Sequence, residues 1–288
     1  MLPASFEYHR PSSMDEALAV LASKGPDAKV LAGGQSLIPL MKLRFAAPEH
    51  LIDINHVSGL DGLLEEDGWL RVGALTRHKA LETSNLLKER YPAMGAAAPM
   101  ISDPIVRNLG TIGGSLAHAD PAGDWGSVML AMGGHVVLKS ANGERTLPVS
   151  EFLQGTFTTA LEPDELLVEV RVPQPETGSG GAYLKMERKV GDFATVGVAV
   201  QVTLQNGTIG STGIALTAVG SGNILAEEAG ASLAGKEPND DAFAAAGALA
   251  AQAADPVSDL RGSSDYKRHI VDVFVRRGLA RAVEIAQG

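Results

Sequence analysis

The sequence predicts an α+β protein in three parts: residues 1–57, residues 58–176, and residues 177–288, the last an antiparallel sheet packed on helices. Short apolar strands alternate with amphipathic helices up to about residue 172. PQPETGSGG, at 173–181, then reads as a linker, because Pro, Gly and small polar residues break both periods. Beyond it, Val196, Val198, Val200, Val202 and Leu204 recur at period two. Asn206-Gly207 follows them, a strong hairpin signal.

Each element has a local reason. In SMDEALAVLASKG, Ser13 and Glu16 have capping-box spacing. Met14, Ala17, Leu18 and Leu21 share one helical face, and Gly25 supplies the stop. AKVLAG and HLIDIN read as short buried strands around a loop, so residues 1–57 form a β-α-β-β unit. WLRVGAL reads as a strand. Thr76 to Ser84 and Leu86 to Ala98 read as helices, the second interrupted at Pro92. DWGSVMLAMGG is a short helix, and HVVLKS, RTLPVS and LLVEVRVP are strands. After the hairpin GIALTAV returns as a strand. Helices are then expected from Ile224, after Asn239, and from Tyr266 to Ala286.

Composition narrows the function. Hydrophobic residues are 45% and aromatics only 5%, so the core is built mainly from Ala, Val, Leu and Ile. A net charge of −10 argues against nucleic acid or an anionic membrane surface as the main partner. An anionic ligand stays open, because local backbone dipoles can outweigh global charge. With no cysteine, the chain has no disulfide, no thiolate metal site, no cysteine-held Fe–S cluster and no cysteinyl nucleophile. No apolar run reaches about 18 residues, so no membrane span is expected. MLPASFEYHRP lacks a signal-peptide pattern, and a cytoplasmic protein is expected. His9, His50, His56, His78, His118, His135 and His269 show no ligand spacing. No nucleophile–base or paired-carboxylate pattern stands out, so no catalytic residue and no metal ligand is assigned.

The most informative signal occurs twice. AGGQS at 32–36 and TIGGS at 111–115 each place a glycine pair beside a serine. Glycine pairs let successive backbone N–H groups face one concavity, and no Cβ blocks an approaching phosphate. The alternative is a pair of tight turns, since the chain holds 33 glycines and other pairs, Gly133-Gly134 and Gly180-Gly181, look ordinary. Neither segment fits the Rossmann or P-loop spacing.

AGGQSLIPLMKLRFAAPEHLIDIN followed by DPIVRNLGTIGGSLAHADPAGD resembles the FAD-binding medium subunits of molybdenum hydroxylases, most of all those of the aerobic carbon monoxide dehydrogenases. The resemblance runs over the whole chain. It implies a two-subdomain FAD-binding fold of the PCMH type, 1–57 and 58–176, followed by the C-terminal domain. It implies non-covalent FAD whose pyrophosphate lies between Ala32, Gly33, Gly34, Gln35, Ser36 and Leu37 on one side and Thr111, Ile112, Gly113, Gly114 and Ser115 on the other. Asp124 would contact the nucleotide end, or else cap the helix that follows it. Ile101, Leu167, Lys185 and Phe193 would lie near the flavin. Lys185 would place a cation by the ring, and Phe193 would cover one face. Outside the resemblance, Ile101 reads as core, Lys185 as an exposed strand lysine and Phe193 as a hydrophobe entering a strand.

The family also implies partners: a small subunit with 2Fe–2S clusters and a large subunit with the molybdenum cofactor, in a dimer of heterotrimers. Two departures leave the substrate open among carbon monoxide, a heterocycle and an aldehyde. Gln35 stands where the carbon monoxide enzymes commonly carry His, and His118, Ala119 and Gly123 break the commoner N-G-D-P-x-N-D pattern. The rival expectations are a stand-alone flavin oxidoreductase and an assembly subunit without cofactor.

Overall fold

The structure, a computed structural model, describes residues 2–288. The first unit holds β1 (Glu7–His9), α1 (Met14–Lys24), β2 (Ala28–Leu31), α2 (Leu37–Lys42) and β3 (His50–Asp53), with a parallel sheet in the order β1-β3-β2. The Ser13 hydroxyl accepts from the Glu16 N–H, and Gly25 ends α1 at φ +54°. The reciprocal half of the capping box is displaced by one residue: the Glu16 carboxylate accepts from the Ser12 N–H and hydroxyl. Ala17, Leu18 and Leu21 are buried against Ile52 and Ile54. Helix α2 lies where the sequence predicts only a loop. Its Pro39 sits in the first turn, where no intrahelical donor is needed.

The second unit opens with β4 (Leu63–Glu66) and β5 (Trp69–Gly73). Strand β4 is absent from the sequence reading, yet Asp67-Gly68 signals it: both residues have positive φ, the condition for a tight two-residue hairpin. The helices are α3 (His78–Thr83), α4 (Asn85–Arg90), α5 (Pro92–Ala97), α6 (Pro104–Leu109), α7 (Ile112–His118) and α8 (Asp124–Ala131). They are followed by β6 (His135–Ser140), β7 (Gly143–Pro148), α9 (Val149–Phe152), β8 (Leu153–Gly155), β9 (Thr158–Thr159) and β10 (Leu166–Pro173). An antiparallel sheet runs β4-β5-β10-β6-β7. Trp125, Tyr91, Phe152 and Met94 are fully buried in its core, where their large area counts most.

The last unit holds β11 (Ser179–Met186), β12 (Val196–Gln205), β13 (Thr208–Thr217), β14 (Ile224–Leu225), α10 (Glu227–Ala231), α11 (Asp240–Ala253) and α12 (Ser264–Gln287). Val196, Val198, Val200 and Val202 are fully buried on one face of β12, packed with residues of α11 and α12. Ala199, on the other face, joins the core of the second unit. Ile224 and Leu225 pair with β13 instead of opening a helix. The linker is also shorter than its composition suggests, because β11 begins at Ser179. A Cβ on Gly180 would stand 2.0 Å from the Ala282 carbonyl of α12, and one on Gly181 would stand 3.0 Å from the Ala93 Cβ of α5. That glycine pair lets two helices close on one strand.

Candidate functional site

The first glycine segment leaves the C-terminal end of β2. A Cβ on Gly33 would meet the Leu109 carbonyl at 2.2 Å, so this segment lies directly on the chain entering the second one. Gly34 has φ +71°, and its carbonyl accepts from the Ile38 N–H to start α2. The Gln35 side chain folds back onto the Gly33 carbonyl at 3.0 Å. Among the described residues, the N–H groups of Gly33, Gly34, Gln35, Ser36 and Leu37 donate to no protein acceptor. Five consecutive donors at a helix start are a fitting receptor for phosphate oxygens.

The second segment is built differently, which corrects the picture of two equivalent loops. Gly113 and Gly114 form the first turn of α7, and Thr111 is its N-cap. Their N–H groups are engaged: Ile112 donates to Thr76 O, Gly113 to Ala74 O, Gly114 to Thr111 Oγ1 and Ser115 to Thr111 O, at 3.0–3.1 Å. Here glycine serves proximity. A Cβ on Gly113 would stand 2.6 Å from the Ala74 Cβ, and Gly114 turns its bare side toward Ala32, at 3.9 Å. The Ser36 and Ser115 hydroxyls make no hydrogen bond among the described residues, and both remain free to donate. The donors of the first segment and the clearance of the second together fit a pyrophosphate.

A second cluster forms where α8 meets β11. The Lys185 side chain is 1% exposed. Its ammonium donates to Asp124 Oδ2 at 3.0 Å and to the Met100 carbonyl at 2.9 Å, with Glu187 Oε2 at 3.7 Å. Lys185 is therefore no exposed strand lysine. Asp124 does not cap α8; Gly123 holds the N-cap position and makes no side-chain bond. The Asp124 carboxylate instead accepts from Lys185 and from the Tyr183 hydroxyl. Burial pushes the Asp124 carboxyl up, and Lys185 and Tyr183 pull against it. Burial and the Asp124 charge push the Tyr183 phenol well above its ordinary value.

Ile101 follows Met100 directly and is packed at the edge of the central core. The loop before β12 lies against the next residue, since a Cβ on Gly191 would meet Ser102 O at 2.9 Å. Phe193 ends that loop 55% exposed, so it does not enter the sheet core. Leu167 is buried in β10 beside a register shift, and α7 packs on that strand. The fold thus brings Asp124 and Lys185 to the Met100 carbonyl beside Ile101, and it brings the start of α8 to the second glycine segment, where a Cβ on Gly123 would stand 3.9 Å from Ser115 Oγ.

Several residues escaped the sequence reading. Tyr183 could have been found, since period two in β11 puts it on the face of Lys185. Asp53, Asn55 and Arg77 gave no signal, but their side chains join the carbonyls beside both glycine segments. Trp125 Nε1–H donates to buried His78 Nδ1 at 3.1 Å, directly behind Gly110. Burial first, then the Arg107 and Arg77 charges, holds the His78 imidazole down at about 4, so it is neutral. Spacing showed no metal-ligand pattern, yet parallel pairing brings Glu7, His9 and His50 within 4.8 Å of one another. That grouping sits at the start of β3, where it pairs with Ala28, opposite to the end of β2 that carries the glycines.

Comparison with known proteins gives the family. Residues 4–175 match the family described as the FAD binding domain in molybdopterin dehydrogenase, and residues 181–282 match the CO dehydrogenase flavoprotein C-terminal domain. The chain is 45% identical over 282 residues to the carbon monoxide dehydrogenase medium chain of Hydrogenophaga pseudoflava, covering 98% of each. It is 41% identical to the 6-hydroxypseudooxynicotine dehydrogenase complex subunit alpha of Paenarthrobacter nicotinovorans, covering 100% of this chain and 97% of the relative. Among solved structures, a carbon monoxide dehydrogenase from Hydrogenophaga pseudoflava superposes with a TM-score of 0.96 at 46% identity, covering 99% of each chain. Quinoline 2-oxidoreductase from Pseudomonas putida 86 does so with a TM-score of 0.93 at 33% identity, covering 100% of each. With both glycine segments in place and a match from end to end, the chain belongs to the FAD-binding medium subunits of the molybdenum-dependent dehydrogenases.

Proposed function

We propose that this chain is the electron-transfer subunit of a carbon monoxide dehydrogenase-like complex. It would hold FAD between residues 32–37 and 111–115 and pass electrons from partner Fe–S clusters to an external acceptor. The observation that supports the binding mode is the run of five N–H groups at Gly33–Leu37 with no acceptor among the described residues, next to Gly114, whose bare side lies toward Ala32. Bound FAD supplies a two-electron store that can be filled one electron at a time.

The chain's own residues bind and orient. The first segment would donate N–H groups to the pyrophosphate, and the Ser36 and Ser115 hydroxyls would add donors. Asp124, locked by Lys185 and Tyr183, fixes the start of α8 behind the second segment. Phe193, exposed in the loop before β12, would cover one ring face. The sequence carries no nucleophile–base or paired-carboxylate pattern for substrate chemistry. Substrate oxidation then falls to a large subunit carrying the molybdenum cofactor, reached through a small subunit carrying 2Fe–2S clusters. With no cysteine, this chain cannot supply thiolate ligands to those clusters. We assign the assembly as a dimer of such heterotrimers in the cytoplasm; no described helix is long and apolar enough to cross a membrane.

The substrate class has a second reading. A relative at 41% identity belongs to a 6-hydroxypseudooxynicotine dehydrogenase, close to the 45% of the carbon monoxide relative. Gln35 also departs from the carbon monoxide pattern. The test is purification of the full chain with and without its partners. Released FAD at one per chain, with reduction by carbon monoxide only when the partners are present, is the expected result. A colourless chain that binds no added FAD would overturn the reading. Reduction by an N-heterocycle but not by carbon monoxide would move the complex to the second substrate class.

A further inference from the structure

One polar chain links the two glycine segments. The Asn55 amide nitrogen donates to the Ala32 carbonyl at 2.8 Å and to Asp53 Oδ1 at 2.6 Å. The Asn55 amide oxygen accepts from Arg77 Nη2 at 2.5 Å, and Arg77 Nη1 donates to the Leu109 carbonyl. The partners fix the amide orientation, since a guanidinium only donates and a carbonyl only accepts. Asp53 is held in turn: Tyr8 donates to its other oxygen at 2.6 Å, and the Asn55 N–H donates at 2.9 Å. Burial pushes the Asp53 carboxyl up, but these hydrogen bonds and the nearby His56 outweigh it and keep it ionised. Arg77 is also joined by backbone bridging to Thr111, the N-cap of α7.

The two carbonyls at the ends of this chain are not arbitrary. Ala32 opens the first glycine segment. Leu109 O is the atom that a Cβ on Gly33 would strike, two residues before Thr111. Asn55 belongs to the first unit, and Arg77 to the second. A rigid guanidinium fork with two bonds in fixed directions sets a distance better than a flexible ammonium would.

We propose that Asn55 and Arg77 act in series as a strut that sets the separation of the two glycine segments, and thereby the fit to a pyrophosphate. This rests on the FAD site proposed above. The strut touches carbonyls and not the ligand, so both are positioning residues.

A series connection has a signature that charge attraction or general stabilisation lacks: breaking either link has the same effect, and breaking both adds nothing. The experiment titrates the full chain, stripped of flavin, with FAD and separately with ADP. ADP carries the pyrophosphate without the ring. Arg77→Met and Asn55→Leu are each expected to weaken both ligands about tenfold, about 1.4 kcal/mol. The double variant is also expected at about tenfold. A hundredfold loss in the double variant would overturn the series strut, as would a loss confined to Arg77→Met, which would mark simple loss of charge. If Arg77→Met does not fold, Asn55→Asp decides. It keeps a partner for Arg77 but cannot donate to Ala32 O, and unchanged affinity there refutes the strut. Wild-type chain that binds neither FAD nor ADP refutes the site itself, a result distinct from variants that bind as wild type does.

Discussion

Replacing Lys185 by Met tests the buried cluster behind the second glycine segment. Lys185 and Asp124 are both buried, and the ammonium is the one cation bonded to that carboxylate among the described residues. Removing one partner of a buried ion pair costs about 3–5 kcal/mol, because the remaining charge is left uncompensated. Asp124 has a way out: it can take a proton. Taking that proton relieves the penalty at low pH, so most of it appears only where the carboxyl is ionised. The carboxyl is already pushed up by burial in the wild type, and without Lys185 that push is unopposed except by Tyr183.

The sign follows. A carboxyl whose folded pKa lies above its unfolded value binds more protons when folded. Its favourable contribution is complete below the unfolded value and is lost as pH rises through the folded one. Lys185→Met is therefore expected to be markedly less stable at pH 8 than at pH 5, by about 2–4 kcal/mol more than the wild type changes over that range. Urea unfolding at the two pH values, with an unchanged m-value, measures it. Adding Asp124→Asn is expected to remove the pH dependence, since an amide can still accept from Tyr183 and carries no charge. A Lys185→Met variant with the pH profile of the wild type would refute the buried-pair reasoning.

Gly33→Ala would drive a methyl into the Leu109 carbonyl 2.2 Å away, and is expected to reduce flavin retained on gel filtration at least tenfold; full retention would show that the contact relaxes. His78, held at about 4 by burial and by Arg107 and Arg77, must take up a proton on unfolding. Its contribution, about 3 kcal/mol, is lost as pH falls from 6.5 toward 4, and His78→Gln should flatten that limb of the stability curve. Phe193→Ala removes an exposed side chain, so the urea midpoint of the flavin-free chain should not move, while the absorption spectrum of the bound flavin should. Gly180→Val is expected to cost more than 3 kcal/mol by forcing α12 off β11, read as a lowered melting temperature.

Periodicity carried the long elements and failed on the short ones. The period-two valines of β12 and the capped helix α1 were legible because burial of one face writes a pattern. Helix α2 spans six residues and contains a proline, so its pattern is shorter than the window that reveals it. Strand β4 was overlooked although Asp67-Gly68 marks the turn beside it. Site residues were legible where glycine is demanded by contact, and not where a polar side chain serves from another strand. Nothing in TRH or DIN announces that Arg77 and Asn55 meet, since that contact exists only after 22 residues of chain have folded back. Composition misled at Gly180-Gly181, because packing against a helix and freedom in a linker ask for the same residue.

The two glycine segments make the same point at the site itself. Their sequences are alike, and symmetric reading gives them the same task. Their surroundings differ: one follows a strand and precedes a helix with its donors open, and the other is the opening turn of a helix whose N–H groups are already bonded to Ala74, Thr76 and Thr111. Hydrogen-bond accounting therefore divides them: open donors on the first segment, available for the proposed binding, and close approach on the second. This division has a consequence for mutation. An alanine at Gly114 would meet Thr111 Oγ1 at 2.8 Å and Ala32 at 3.9 Å, filling the gap between the segments while removing no donor. An alanine at Gly34 would be strained by its φ of +71° and would tilt the donors themselves. In FAD titrations Gly114→Ala should act by exclusion, weakening FAD and ADP alike. Gly34→Ala should also destabilise the flavin-free chain, by about 1 kcal/mol in urea unfolding. Equal destabilisation of the flavin-free chain by both would contradict the division.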